Sequence, residues 1–402
     1  MLFRSASWSR VIHSSPEKLK PYEKEKKETI EKQIPQQGNI PATFFDNEVD
    51  KKNAKLLNEA VNHNAPFMPD ELFEKLVKNY QNVEDIYGKT FLNLISGFDP
   101  QYIKKNIKIP EFQQLLKKKI EEKVEELRED GLLDKSYHIA EEGFELAAFS
   151  LYLEELEQLA AKETFGLTPS ERKSHYGERG EERRLHHGDS YRNIAVRKSL
   201  HQAIRQGRIE LQIEDLIAFD RKSTGGAEII YAIDSSGSMK GDKIAQAKKA
   251  GVALAYFALR RKDKVGLISF AREIKEELMP TREFFHLLDT IVKIRSAGET
   301  NLAKAIKKSL ELFSREKTTK HLILLTDAFP TAGERPEEES MEAAGLARDQ
   351  GVTLSVAGLS LDKDGERVAK KIVEIGSGRL FLVKNLAELD RLILEDYDAM
   401  ER

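Results

Sequence analysis

Two kinds of hydrophobic rhythm run along this chain, and they change near residue 226. From about 51 to 165 the spacing is helical. In EFQQLLKKKIEEKVEELREDG the apolar residues Leu116, Ile120, Val124 and Leu127 recur at three- and four-residue intervals, and Gly131 marks a stop. AEEGFELAAFSLYLEELEQLAAKE predicts a second helix with a wide apolar face of Phe144, Ala148, Leu151, Leu156 and Leu159. After Gly225 and Gly226, continuous apolar runs alternate with amphipathic stretches: EIIYAI, KVGLISF, KHLILLT, VTLSVAGL and RLFLV, each followed by a helical pattern. That alternation predicts an α/β domain, a doubly wound and mainly parallel sheet covered on both faces. The stretch AREIKEEL, between KVGLISF and the next helix, fits an antiparallel edge strand.

The chain then divides into a lead-in at 1–50, an α-helical domain at 51–165, a basic linker at 166–225 and the α/β domain at 226–402. In the linker, GLTPSERKSHYGERGEERRLHHGDS lacks periodicity and is expected to be an exposed arm. DSYRNIAVRKSLHQAIRQG predicts a helix capped near Asp189 or Ser190, with Val196, Leu200 and Ile204 aligned and Gly207 at its end. RIELQIEDL alternates as a strand does. The junction GLLDKSYHIAEEGFELA is expected to be a helix–turn–helix packing unit; the alternative is the hairpin of a winged helix.

Length and composition set outer bounds. A chain of 402 residues exceeds one ordinary core. A net charge of −3 does not suggest a nucleic-acid binder overall. No apolar run approaches the roughly 18 residues of a membrane span. With no cysteine, disulfides, zinc–thiolate sites and thiol catalysis are excluded. The start, MLFRSASWSRVIHSS, has two arginines, five serines and no acid. That is a transit-peptide composition, although a frayed terminus is the expected reading. A cytoplasmic location is expected.

The chemistry sits where the first α/β strand ends. IIYAIDSSGSMKGDKI drives a buried strand into Asp234, Ser236 and Ser238, more oxygen than a helix cap requires. KHLILLTDAFP puts Asp327 directly after another buried strand, and IRSAGETNLAKAI puts Thr300 in a glycine-containing loop before a helix. In a doubly wound sheet such strand ends meet at one edge. Three hydroxyls and two carboxylates are hard oxygen donors, suited to Mg²⁺ or Mn²⁺. Capping by Ser236, Ser238 and Asp327 would explain each residue alone, without explaining the set.

These segments resemble the DxSxS pattern of the von Willebrand factor type A domain and its metal-ion-dependent adhesion site. Asp234, Ser236 and Ser238 match the first segment, Thr300 the second and Asp327 the third, in family order across about 226–400. Ala328 stands where the family usually has Gly, and Glu299 precedes Thr300 where Gly is more usual; both bear on the rim a partner meets. The resemblance implies a divalent cation held at these five residues and open to an acidic residue of a partner, with no catalysis. A second resemblance joins GD-x-x-R-x-I, here Gly188, Asp189, Arg192 and Ile194, to proteins associated with MoxR-type AAA+ ATPases; Val196 stands where a Trp is usual. CoxE-type maturation proteins and the partner subunits of metal chelatases are also similar.

The expectation is a non-enzymatic adaptor for an AAA+ ATPase, with partner contacts at Arg183, Arg184, Asp189, Arg192 and Glu299. The alternatives are a subunit of a chelatase that inserts metal into a tetrapyrrole, and a nucleic-acid-associated type A protein. The last draws on the basic stretch 171–208, which holds ten Lys or Arg against five acids. No Walker A, GxSxG or HExxH motif is present. LDKDGERVAKKI starts like a calcium loop but lacks its terminal Glu, and fits a turn before a helix. His175, His186, His187 and His201 fit exposed linker positions better than a metal site.

Overall fold

The computed structural model describes residues 48–164, 178–184, 195, 198–200, 202, 206, 212, 215–222, 226–316, 318–327 and 330–400. Chain contacts divide into two units, Met1–Leu153 and Glu154–Arg402.

In the first unit, helices α1 (Glu48–His63), α2 (Pro69–Lys78), α3 (Tyr80–Tyr87), α4 (Lys89–Ser96), α5 (Pro100–Asn106) and α6 (Pro110–Glu129) precede α7 (Glu141–Thr164), which continues past the division. The boundaries follow local chemistry. Proline opens α2, α5 and α6, where a missing N–H costs nothing. Asn79 caps α3 by accepting from Asn82 N at 3.1 Å, and Gly97 ends α4 at φ 73°. Helix α6 buries Leu116, Ile120, Val124 and Leu127, the face that the sequence spacing predicts. Gly131 follows it at φ 75°. Between α6 and α7 a single antiparallel bridge joins Leu133 to Ile139, in a turn where Asp134 accepts from Ser136 N and His138 N. This is a tight connection without the two strands of a wing.

The second unit opens with a charged two-stranded ribbon. β1 (Glu178–Arg184) pairs antiparallel with β2 (Ile217–Lys222), Arg183 opposite Ala218, with a register shift between Arg179 and Glu182. Residues 178–184 of the expected exposed arm thus form a strand that the sequence did not signal. ERGEERR has no apolar alternation to betray a strand, and its pairing comes from backbone bonds to β2. Of the strand expected at 208–216, only 212, 215 and 216 are described and none is in a strand; the strand starts at Ile217. In the helix expected across 189–207, residues 198–200 and 202 are helical, and the remaining positions are mostly outside the described residues.

The main sheet has the order β5-β4-β3-β6-β7-β8. Its strands are β3 (Ala227–Asp234), β4 (Lys264–Phe270), β5 (Ile274–Thr281), β6 (Thr319–Thr326), β7 (Val352–Leu359) and β8 (Ser377–Val383). All pairings are parallel except β4 with β5, the expected antiparallel edge. Helices α8 (Asp242–Arg260), α9 (Phe284–Lys293), α10 (Leu302–Leu312), α11 (Pro336–Asp349), α12 (Lys363–Ile375) and α13 (Leu389–Met400) cover it.

Strand alternation assigns the faces. Ile230 and Ala232 of β3 and Leu322 and Leu324 of β6 pack with α10, α11 and α12 in one core. Tyr231 points to the opposite face, where its hydroxyl donates to Ala247 O of α8 at 3.1 Å. Every residue of β3 is buried, which is why it reads as an unbroken apolar run. The chain leaves β3 toward β4 on one side and later returns to β6 on the other. The carboxyl ends of β3 and β6 thus flank a topological switch point.

Candidate metal centre

β3 ends at Asp234, whose carboxylate is fully buried. The parallel register sets Ile233 opposite Leu325, so the next pair, Asp234 and Thr326, lies side by side. Thr326 Oγ1 donates to Asp234 Oδ2 at 2.6 Å, and Ser236 N donates to Oδ1 at 2.8 Å. Burial pushes the Asp234 carboxyl up to about 6, against the lowering effect of its bonds to Thr326 and Ser236. The charged form is therefore costly unless a cation stands near.

Outward from Asp234 the oxygens continue in a chain. Ser236 Oγ and Ser238 Oγ are 3.0 Å apart, and Ser238 Oγ donates to Asp327 Oδ1 at 2.8 Å. Neither serine caps α8: its N-cap is Gly241, at φ 83°, with no side-chain bond. The capping explanation accordingly fails for Ser236 and Ser238. Asp327 reaches into the cluster; Lys243 Nζ of α8 donates to its Oδ2 at 2.5 Å.

The Thr300 loop is joined to the same turn through its backbone. Gly237 N donates to Gly298 O at 2.9 Å, and Ala297 N donates to Ser235 O at 2.7 Å. Gly298 holds φ 88°, a conformation that glycine adopts without strain. Thr300 itself is buried; its N–H donates to Thr331 Oγ1 at 3.2 Å, and its carbonyl accepts from Thr331 N and Ala332 N. A further tie comes from β5. Lys275 Nζ donates to Ser235 O (3.1 Å), Arg295 O (3.1 Å) and Ala297 O (2.8 Å). One ammonium thus links the first loop to the second.

The donors fit a hard divalent cation. Among the described residues no group of three or more His, Cys, Asp or Glu is suited to a metal, so a cation here would rest on hydroxyls as much as on carboxylates. Asp234, Ser236, Ser238 and Asp327 are linked directly, and Thr300 is placed by the bonds of its loop.

Lys243, Lys275 and Thr326 escaped the sequence reading. Lys243 offered one signal: a cation in the first turn of a helix sits at the unfavoured end of its dipole and invites a search for a carboxylate.

The remaining expected positions are mixed. Glu299 is exposed at the rim, 3.9 Å from Arg272 Nη1. Arg184 is exposed on β1, and Arg183 lies on the same strand with its side chain outside the described residues. Asp189, Arg192, Gly188, Ile194, Val196 and Ala328 lie outside the described residues, as do His175, His186, His187 and His201. Asp362 accepts from Gly365 N at 2.7 Å, so LDKDG is a helix cap and not a calcium loop.

A family model for the von Willebrand factor type A domain matches residues 228–395. This part of the chain is a type A domain. Type A domains commonly bind a divalent metal at their adhesion site. Relatives of the domain are diverse. Inter alpha-trypsin inhibitor, heavy chain 4 of Mus musculus is 34% identical over 124 residues, 28% of this chain and 13% of that protein. YfbK of Escherichia coli is 25% identical over 189 residues, 44% of this chain and 32% of its own length. The magnesium-chelatase 67 kDa subunit of Chlorobaculum parvum is 24% identical over 204 residues, 46% of this chain and 33% of its own. The chain thus spans a third or less of each of these relatives. Among solved structures, BatB from Bacteroides thetaiotaomicron aligns with 44% of this chain and 98% of its own at 23% identity, with a TM-score of 0.37. No described helix is long and apolar enough to cross a membrane.

Proposed function

We propose that the type A domain is the metal-dependent handle of a non-enzymatic, cytoplasmic adaptor. The observation that carries this is the run of oxygens from buried Asp234 through Ser236 and Ser238 to Asp327. The cation is Mg²⁺, or Mn²⁺ in its place, held by Asp234, Ser236, Ser238, Thr300 and Asp327. When bound, it supplies a Lewis-acidic point for a carboxylate oxygen of a partner. The chain's own residues bind and orient the cation: Thr326 and Ser236 N fix Asp234, and Lys275 holds the two loops in register. Glu299 and the basic segment with Arg183, Arg184, Asp189 and Arg192 are the proposed partner contacts. The partner is an AAA+ ATPase of MoxR type, and the helical unit recognises that ATPase or its client.

Affinity purification from native extract tests this, using wild type and Ser238→Ala, each with Mg²⁺ or EDTA, read by mass spectrometry. An AAA+ ATPase retained only by wild type with Mg²⁺ is the expected result. The same proteins in all four samples would overturn the handle.

A second reading, a chelatase subunit, draws on the likeness to the magnesium-chelatase 67 kDa subunit. Metal insertion into a porphyrin that depends on adding this chain would establish it.

A further inference from the structure

Lys243 places a fixed positive charge inside the proposed cation site. Its ammonium bonds Asp327 Oδ2 at 2.5 Å, while Asp327 Oδ1 accepts from Ser238. The Asp327 side chain has 0% exposure and that of Lys243 has 32%. The carboxylate is therefore held between a motif hydroxyl and an ammonium that comes in from the solvent side. Lys243 is also the second residue of α8, where the helix dipole disfavours a cation. Asp327 is the group that offsets this placement.

The charges decide what the lysine does. With Asp234 and Asp327 ionised and Lys243 protonated, these three groups carry one net negative charge. A divalent cation turns that into one net positive charge. Without the ammonium the same groups would pass from two negative charges to none. A neutral loaded site has little long-range attraction for a carboxylate, whereas a positive one draws it in. Lys275 stays tied to its three carbonyls and contributes equally in both cases.

We propose that Lys243 is a specificity-determining residue that weakens cation binding and in return leaves the loaded site positive, so that it selects an anionic ligand. The inference rests on the metal-handle reading above. It assigns the lysine two effects of opposite sign, which a purely structural role would not produce.

The test uses the full chain as wild type, Lys243→Met, Lys243→Arg and Asp234→Ala. Mn²⁺ alone is titrated calorimetrically at low ionic strength. Lys243→Met should bind Mn²⁺ more tightly by roughly tenfold, since a like charge has been removed beside the ion. Lys243→Arg, which keeps the charge, should stay near wild type. Acetate then serves as the carboxylate probe, followed by Mn²⁺-induced broadening of its methyl resonance. Wild type and Lys243→Arg should broaden it at several-fold lower acetate concentration than Lys243→Met.

Unchanged or weaker Mn²⁺ binding by Lys243→Met, or equal acetate response in all loaded proteins, would overturn the role of Lys243. If wild type binds Mn²⁺ no better than Asp234→Ala, the metal reading itself fails and this inference falls with it.

Discussion

Replacing Asp234 by Asn should stabilise the metal-free protein while abolishing its response to Mg²⁺. Asn has nearly the same shape: its Oδ1 still accepts from Ser236 N, and its amide can face the Thr326 hydroxyl, which rotates to accept. What is lost is a buried negative charge. Burial raises the Asp234 carboxyl from its ordinary 3.8 to about 6. The folded state thus holds a proton that the unfolded state has released between those two values. Stability owed to this group therefore falls as pH rises through that window, and the full penalty stands above pH 6. About two pKa units at ~1.36 kcal/mol each correspond to about 3 kcal/mol at neutral pH. That shift already sets the bonds from Thr326 and Ser236 against burial, so the expected gain is up to about 3 kcal/mol. Guanidinium unfolding of both proteins in EDTA, at pH 4.5 and 7.5, measures this. The variant should be the more stable at pH 7.5, with the difference much reduced at pH 4.5. Mg²⁺ should raise the midpoint of wild type alone. An Asn variant less stable than wild type at pH 7.5 in EDTA would refute the claim that the buried charge is costly.

Two other consequences concern the support beneath the site. Lys248 of α8 is buried, donates to Val292 O at 3.0 Å, and is pushed down to about 7, mainly by burial and then by the nearby Arg295. Its unfolded value is 10.5, so the unfolded chain binds the extra proton between those values, and stability rises with pH through that window. Lys248→Met should remove a slope of up to about 1.4 kcal/mol per pH unit, read from unfolding midpoints at pH 7.5 and 9.5. Gly251→Ala would set a Cβ 2.9 Å from Cε1 and 3.1 Å from Cδ1 of the buried Tyr231 ring. The crowding, about 1–3 kcal/mol, should outweigh the helix-propensity gain of about 1 kcal/mol and lower the melting temperature.

The α/β half was legible because its strands are buried on both faces. EIIYAI and KHLILLT could hardly be anything else once helices followed them, and Asp234 and Asp327 mark their ends. Motif spacing also picked out Ser236, Ser238 and Thr300, which the fold places near Asp234 and Asp327 because segments at strand ends in this topology converge. The residues that fix those side chains were not legible, since their roles exist only through space. Thr326 needs the β3–β6 register, Lys275 needs the fold of an edge strand against two loops, and Lys243 needs Asp327 at the first turn of α8. The β1–β2 ribbon was missed for a different reason. A strand made of Glu, Arg and Gly carries no apolar period, and its existence depends on a partner more than thirty residues away.

Lys275 is the feature with the widest reach. This chain has no cysteine, so no disulfide can staple the loop at Ser235 to the loop at Arg295 and Ala297. An ammonium with three donors acts as a three-way staple instead. Reductants leave such a staple intact. Its grip depends on one charge at the tip of an exposed strand, so acylation of that single nitrogen would remove all three of its bonds at once and leave the two loops held by the backbone bonds Gly237 N to Gly298 O and Ala297 N to Ser235 O.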